Sequence, residues 1–288
     1  MTQPRLPERH IRQHPVLKVR SASRESADDC LAAEEPMEIR VISQNGAGPA
    51  QKSIVVTMRT PGEDFELAAG FLHSEGIITS GDDIVDIAYC VDTETPQEQN
   101  VVTVTLAADV ELDMARLDRN FFANSSCGVC GKATLDSLEL SGHRPVEANT
   151  SLTAEVLGSL PTIMREQQRT FDVTGGLHAA ALFETDGTLV ALREDIGRHN
   201  TVDKLIGSRM QAGDLPLDRY VLLVSGRAGF EILQKSLVAR LPIVAAIGAP
   251  STLAADLATE FGITLVGFLT EGGFNVYSHP HRITDTLT

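Results

Sequence analysis

Three features of the chain predict an α/β protein with two domains, a smaller N-terminal α+β domain followed by a larger α/β domain. From Arg219 onward, apolar runs of strand length alternate with amphipathic helical stretches across glycine-containing turns. An Asp-Gly turn signal at Asp186-Gly187 precedes them, flanked by apolar segments. The first half instead carries short β-branched segments around one helical pattern. At 288 residues and 42% hydrophobic, the chain can bury one large core or two ordinary ones. The division expected is a basic tail over 1–28, an N-terminal domain over 29–142 and a C-terminal domain over 143–288.

The elements follow in order. Arg5, Arg9, Arg12, Lys18 and Arg20 stand near the N-terminus without the apolar stretch of a secretory signal, so 1–28 is expected to be a flexible, solvated tail on a cytoplasmic protein. Segments 37–42, 53–58, 84–91 and 101–106 are β-branched and bounded by Gly, Pro, Asp and Asn, which predicts strands. Thr60-Pro61-Gly62 breaks the chain, and Phe65, Leu67, Ala68, Ala69, Phe71 and Leu72 then recur at the spacing of an amphipathic helix ending near Gly76. Ser141-Gly142-His143-Arg144-Pro145 is polar and rich in turn formers, which sets the domain boundary. Asp-Gly tolerates the positive φ of a tight primed turn, so 179–184 and 189–193 should pair as a hairpin. Beyond it, 220–224, 230–241, 243–247, 252–261 and 264–269 read strand, helix, strand, helix, strand. Those strands are continuous apolar runs, as expected when helices cover both faces of a parallel sheet.

A formal charge of −15 argues against nucleic-acid binding, whose affinity comes mainly from Lys and Arg neutralising phosphates. No apolar run approaches a membrane span, so no membrane partner is expected. Four cysteines in a chain this long do not make a disulfide framework; Cys30 and Cys90 are isolated, and Cys90, inside an apolar strand pattern, is expected in the core.

Ligands of a βαβ unit sit beyond the carboxyl ends of its strands. Three turns fall there: Ser225-Gly226-Arg227-Ala228-Gly229, Gly248-Ala249-Pro250-Ser251-Thr252 and Glu271-Gly272-Gly273-Phe274-Asn275-Val276-Tyr277-Ser278-His279. Glycines let backbone amides approach a phosphate, helix N-termini favour an anion, and Arg227 can clamp a diphosphate. Any one such loop is more simply a tight turn; three converging loops shift the balance. Phe274, Tyr277 and His279 could stack on a heterocycle. A second polar cluster joins Thr174-Gly175-Gly176-Leu177-His178 to Arg193-Glu194-Asp195-Ile196-Gly197-Arg198-His199-Asn200. There Asp195 is expected to cap a helix beginning near Arg198, and Glu194 to pair with Arg198. His178 and His199 lie at element starts, where titratable groups line clefts, although a satisfied core histidine is the simpler reading of either alone.

The densest chemical signal is Asn124-Ser125-Ser126-Cys127-Gly128-Val129-Cys130-Gly131-Lys132. Small, flexible neighbours let two thiols approach a bulky electrophile, and Lys132 favours the nucleophilic thiolate. Three uses compete. His73-Ser74-Glu75 followed by Cys127-x-x-Cys130 has the order of a zinc deaminase, but Ser126 stands where proline is expected, and no structural metal is expected. Dithiol exchange lacks the aromatic neighbour and helix start of thioredoxin-like sites. A persulfide carrier, in which one thiolate takes a sulfane sulfur and offers it to an acceptor, fits an exposed loop.

Together, Ser126-Cys127-Gly128-Val129-Cys130-Gly131, the stretch Asp195-Ile196-Gly197-Arg198-His199-Asn200-Thr201-Val202-Asp203-Lys204, Ser225-Gly226-Arg227 and Phe274-Asn275-Val276-Tyr277 resemble the FdhD family of formate dehydrogenase accessory sulfurtransferases. The resemblance runs from the first strand to the C-terminus. It implies a sulfurtransferase that moves sulfur from a cysteine desulfurase, through a Cys127 persulfide assisted by Cys130, to the molybdenum cofactor before its insertion into formate dehydrogenase. It implies a cytidine-deaminase-like, three-layer C-terminal domain. The cofactor, bis(molybdopterin guanine dinucleotide), is implied to bind over Phe274, Asn275, Val276, Tyr277, Ser278 and His279, and its diphosphates suit Ser225, Gly226 and Arg227. The other readings kept are a non-catalytic cofactor-binding chaperone and a zinc-dependent hydrolase; a symmetric homodimer is compatible with this fold class.

Overall fold

The computed structural model describes residues 9–45, 48–90, 99–110, 138 and 142–285. Its first element departs from the tail expected over 1–28. Strands β1 (Ile11–Arg20) and β2 (Ser23–Ala32) pair antiparallel along their whole length, from Ile11↔Ala32 to Arg20↔Ser23. Cross-strand pairing of Val16 with Ala27 and of Lys18 with Glu25, and the 3.9 Å approach of Lys18 to Asp29, supply the complementarity that a count of basic residues hides. The ribbon stays largely exposed.

In the N-terminal half, β3 (Glu35–Asn45) and β4 (Gly48–Arg59) form a long hairpin. Strand β6 (Val101–Leu106) runs parallel to β3, and β5 (Ile84–Tyr89) pairs with β6, giving the order β4-β3-β6-β5. Every second residue of β6 is buried, the period expected of a sheet with one face in the core. That face, with Met37, Ile39, Val41, Val102 and Val104, packs on Leu67, Ala68 and Leu72 of helix α1 (Asp64–Ser74). The fully buried Arg59 donates to both oxygens of Asp64, at 3.1 and 3.0 Å, and so ties the end of β4 to the start of α1. Cys90, expected in the core, is half-buried just past β5, where its N–H donates to the Val101 carbonyl.

The C-terminal half is a six-stranded mixed sheet of β8 (His178–Phe183), β9 (Leu189–Asp195), β10 (Val221–Val224), β11 (Ile243–Ala246), β12 (Thr264–Thr270) and β13 (Gly273–Ser278). The order is β13-β12-β11-β10-β8-β9, with β10, β11 and β12 mutually parallel and the outer strands antiparallel. The predicted hairpin between β8 and β9 is present, with Gly187 at φ +88° and Asp186 accepting from the Thr188 N–H. Both faces are covered. Helices α4 (Arg198–Gln211), α5 (Phe230–Val238) and α6 (Thr252–Glu260) bury Val202, Leu205, Ile232, Leu233 and Leu257 on one face. On the other lies α2 (Ala154–Gln167), which the sequence reading did not pick out; Leu157, Leu160 and Met164 of α2 pack there, and Thr153 caps it by accepting from the Val156 N–H at 3.2 Å. A short α3 (Arg169–Thr174) follows, and β7 (Leu152–Thr153) pairs with β14 (Ile283–Thr284).

The halves meet where α1 crosses α4. A Cβ on Gly70 would stand 1.8 Å from the Asp203 carbonyl oxygen, and one on Gly207 would stand 1.9 Å from that of Glu66. Only glycine at both positions lets the two helix backbones touch.

Candidate functional site

Because β10, β11 and β12 are parallel, the turns that follow them gather at one end of the sheet. Backbone hydrogen bonds lace these turns together: Gly248 N–H donates to the Gly226 carbonyl at 3.0 Å, and Phe268 N–H to the Gly248 carbonyl at 3.1 Å. Ser225 closes the other side, its N–H donating to the Ala179 carbonyl and its Oγ accepting from the Ala179 N–H, both at 2.9 Å. That brings the start of β8 to the same place. A Cβ on Gly226 would lie 3.3 Å from His178 Nδ1 and 3.8 Å from Arg198 Cδ, and one on Gly248 would lie 2.8 Å from the Gly226 oxygen. Arg227 is exposed beside them. The predicted convergence of Ser225, Gly226, Arg227 and the second glycine turn is therefore present.

The stretch from Phe274 to His279 splits along β13. Phe274 and Val276 turn to the core that α2 covers, whereas Asn275 and Tyr277 stay exposed. Tyr277 reaches the gathered turns: a Cβ on Gly267 would stand 3.1 Å from its ring and 2.6 Å from Pro250 Cδ. Ser278 and His279 are not brought there. Ser278 pairs with Leu265, at the opposite end of β12, and its buried hydroxyl donates to the Ile263 carbonyl and accepts from the Leu265 N–H. His279 Nε2 lies 2.9 Å from the Thr259 carbonyl.

The second polar cluster divides between a closed joint and this open end. Asp195 is fully buried; it accepts from Gly197 N–H, Thr60 N–H and the Asn200 side-chain amide, and pairs at 2.9 Å with the equally buried Lys204. Lys204 also donates to the Thr60 carbonyl, and Asn200 to the Met58 carbonyl. Asp203 accepts from Ser74 of α1 and from Lys235 of α5, each at 2.8 Å. Asp195 thus binds the two halves together, and the helix behind it takes Gly197 as its N-cap, with no side-chain cap. Glu194, expected to pair with Arg198, instead accepts from the Thr170 and Phe171 N–H groups at the start of α3. Thr174-Gly175 ends that helix, with Gly175 at φ +64°.

Arg198 and His199 are left over. Arg198 Nε is buried without a hydrogen-bond partner, and so is His199 Nε2, which lies 3.5 Å from Glu231 Oε2. Burial pulls the His199 imidazole below its ordinary pKa against the opposing pull of Glu231, and burial likewise lowers His178. The N-termini of α4 and α5 carry no side-chain cap, while that of α6 is satisfied by Ser251. Uncapped amides, two guanidinium groups and glycine backbones suit a polyanion such as a diphosphate. In the His73-Ser74-Glu75 motif, Ser74 serves the joint; His73 is buried, its Nδ1 is unpartnered, and desolvation lowers its pKa to about 4. Cys127, Cys130 and Lys132 lie outside the described residues. Glu231 and the exposed Phe268 went unnoticed in the sequence, the first because one helical glutamate carries no signal, the second because an aromatic in a strand pattern reads as core.

Relatives of the chain carry a consistent name. A model of the FdhD/NarQ family matches residues 32–284. The sulfur carrier protein FdhD of Streptomyces avermitilis is 50% identical over 272 residues, covering 93% of this chain and 94% of its own. That of Sulfurisphaera tokodaii is 41% identical over 273 residues, covering 95% and 99%. The crystal structure of a candidate formate dehydrogenase accessory protein from Desulfotalea psychrophila has the same fold, with a TM-score of 0.70 at 23% identity, covering 95% of this chain and 99% of that one. No helix among the described residues is long and apolar enough to cross a membrane. With the family model spanning most of its length and relatives this similar from end to end, the chain belongs to the FdhD/NarQ family.

Proposed function

We propose that this protein is a cytoplasmic sulfurtransferase that carries sulfane sulfur on Cys127 from a cysteine desulfurase to the bis(molybdopterin guanine dinucleotide) cofactor destined for formate dehydrogenase. The observation that carries the reading is the 50% identity, over 93% of the chain, to a protein named as a sulfur carrier. The Cys127-Gly128-Val129-Cys130 sequence supplies the chemistry. Cys127 thiolate attacks the terminal sulfur of the donor persulfide; the donor S–S bond breaks and its thiolate leaves, so Cys127 holds the persulfide. Attack by Cys130 on the inner sulfur then releases hydrosulfide and leaves a Cys127–Cys130 disulfide, which balances the two electrons. Lys132 favours the attacking thiolate.

The cargo's diphosphates are read at the sheet end. Ser225, Gly226 and Arg227 offer backbone amides and a guanidinium there, and Asn275 and Tyr277 border the same turns. Phe274 and Val276 support that edge from the core, and Ser278 and His279 hold the far end of β13. The sheet with helices on both faces supports a cytidine-deaminase-like reading of the C-terminal half.

Incubation with desulfurase and cysteine, followed by weighing of the Cys127 peptide with and without reductant, tests the transfer. A reducible mass gain of one sulfur on the intact protein, absent from Cys127→Ser, is expected. A Cys127→Ser variant that still matures formate dehydrogenase fully would overturn the assignment and leave the non-catalytic chaperone reading in its place.

A further inference from the structure

Among the described residues, four that are not glycine stand at positive φ: Glu63, Arg240, Phe268 and His279. Three of them are explained by helix ends. Glu63 precedes α1, His279 precedes a single 3-10 turn, and Arg240 follows α5 and donates to the Arg144 and Pro145 carbonyls. Phe268, at φ +54°, lies inside a strand, where a bulky side chain in this region is a strained outlier.

The strain has a geometric origin. The β12–β13 register jumps from Gly267↔Asn275 to Thr270↔Gly273, so an extra residue is accommodated in β12. Regular alternation would send Phe268 to the face occupied by Val266, into the core beneath α2. The bulge gives that place to Leu269, which is 1% exposed, and leaves Phe268 50% exposed. Burying the aromatic ring is the ordinary hydrophobic outcome, and the local backbone departs from regular geometry to avoid it.

Phe268 stands at the gathered turns. Its N–H is bonded to Gly248, the preceding Gly267 packs under the Tyr277 ring, and the neighbouring Ile247 and Tyr277 are 37% and 41% exposed. The same sheet end carries exposed Arg227 and the unpartnered Arg198 Nε, cationic groups in a chain of net charge −15. An apolar aromatic rim beside cations and bare glycine backbone complements a flat heterocycle bearing a diphosphate. We propose that Phe268 is the platform on which the base of the bound nucleotide stacks, a role that rests on the sheet end taking the guanine dinucleotide.

The absence of tryptophan makes the test direct. Phe268→Trp places the sole indole of the full-length protein at the platform, and titration with GDP should quench its emission along a saturating curve. Phe268→Ala should weaken GDP about tenfold, the usual loss for one base–aromatic stack, while leaving inorganic pyrophosphate binding unchanged. Phe268→Gly, unstrained at this φ, should behave like alanine and separates ring loss from backbone strain. Arg227→Ala should weaken GDP and pyrophosphate alike. Indole emission unmoved at saturating GDP, or GDP binding undiminished in Phe268→Ala, would overturn the platform while leaving the nucleotide reading in place. Failure of wild type to bind either GDP or pyrophosphate would remove both.

Discussion

The stretch from Asp195 to Lys204 builds two places of opposite character. Asp195, Asn200, Asp203 and Lys204 are buried in the joint between the halves, and the polar groups they present there are paired. From the same helical turn, Arg198 borders the open sheet end with a buried Nε that lacks a hydrogen-bond partner, and the His199 Nε2 lies 3.5 Å from Glu231 of α5. A buried charge without a partner is costly, and a group left unpaired at a cleft is available to something else. The contrast teaches that a dense polar motif is not one site: its members divide according to which side of α4 they leave.

The sharpest way to break this division is Asp195→Ala, which takes from the buried Lys204 ammonium its carboxylate at 2.9 Å and leaves it Glu63 at 3.6 Å and backbone carbonyls. Chemical denaturation should show a loss of about 3–5 kcal/mol, and a loss near zero would mean the joint is not what holds the halves together.

Acidification acts next, through His73 on the joint's other helix. Its pKa of about 4 lies below the ordinary 6.5, so the unfolded chain takes up the proton first. The stability is full above pH 6.5 and falls as pH drops towards 4, by on the order of 3 kcal/mol in all. His73→Phe should flatten that segment of the stability–pH curve; an unchanged slope would assign it to other groups.

Gly207→Ala forces the crossing helices apart against backbone. A loss of about 1–3 kcal/mol is expected, with a melting temperature that falls accordingly. The open end should respond in the reverse sense. Arg227→Ala should change stability by no more than about 0.5 kcal/mol, because the side chain is exposed, yet weaken diphosphate binding measured by calorimetry. Should it destabilise the fold instead, the two regions would not be distinct.

Much of the fold could be read from the chain because its signals were local. Asp186-Gly187 specifies a primed turn whatever surrounds it, and the runs at β10 and β11 are apolar throughout because both faces of that sheet are covered. The gathering of the glycine turns followed from parallel strands alone. What escaped depended on partners distant in sequence. The β1–β2 ribbon is held by pairing between residues up to 21 apart, Ile11 with Ala32 at the extreme, and its charges read as a solvated tail. Helix α2 was obscured by Pro161, although Thr153 followed by Leu157, Leu160 and Met164 carried a cap and a face. At the sheet end, Phe274 to His279 looked like one loop, but a strand alternates its sides and spans the sheet, so only Asn275 and Tyr277 face outward near the turns. Nothing in a sequence marks positive φ at a phenylalanine.

The Gly70–Gly207 crossing carries a further consequence for how the two halves can move. A hinge needs a layer of side chains that can slide or a linker that can bend, and here main chain rests on main chain with ionic contacts on either side. The two halves are set up to move as a unit rather than to shut over a guest. If the sheet end takes the proposed nucleotide, binding and release would proceed across a fixed rim rather than through a closing cleft.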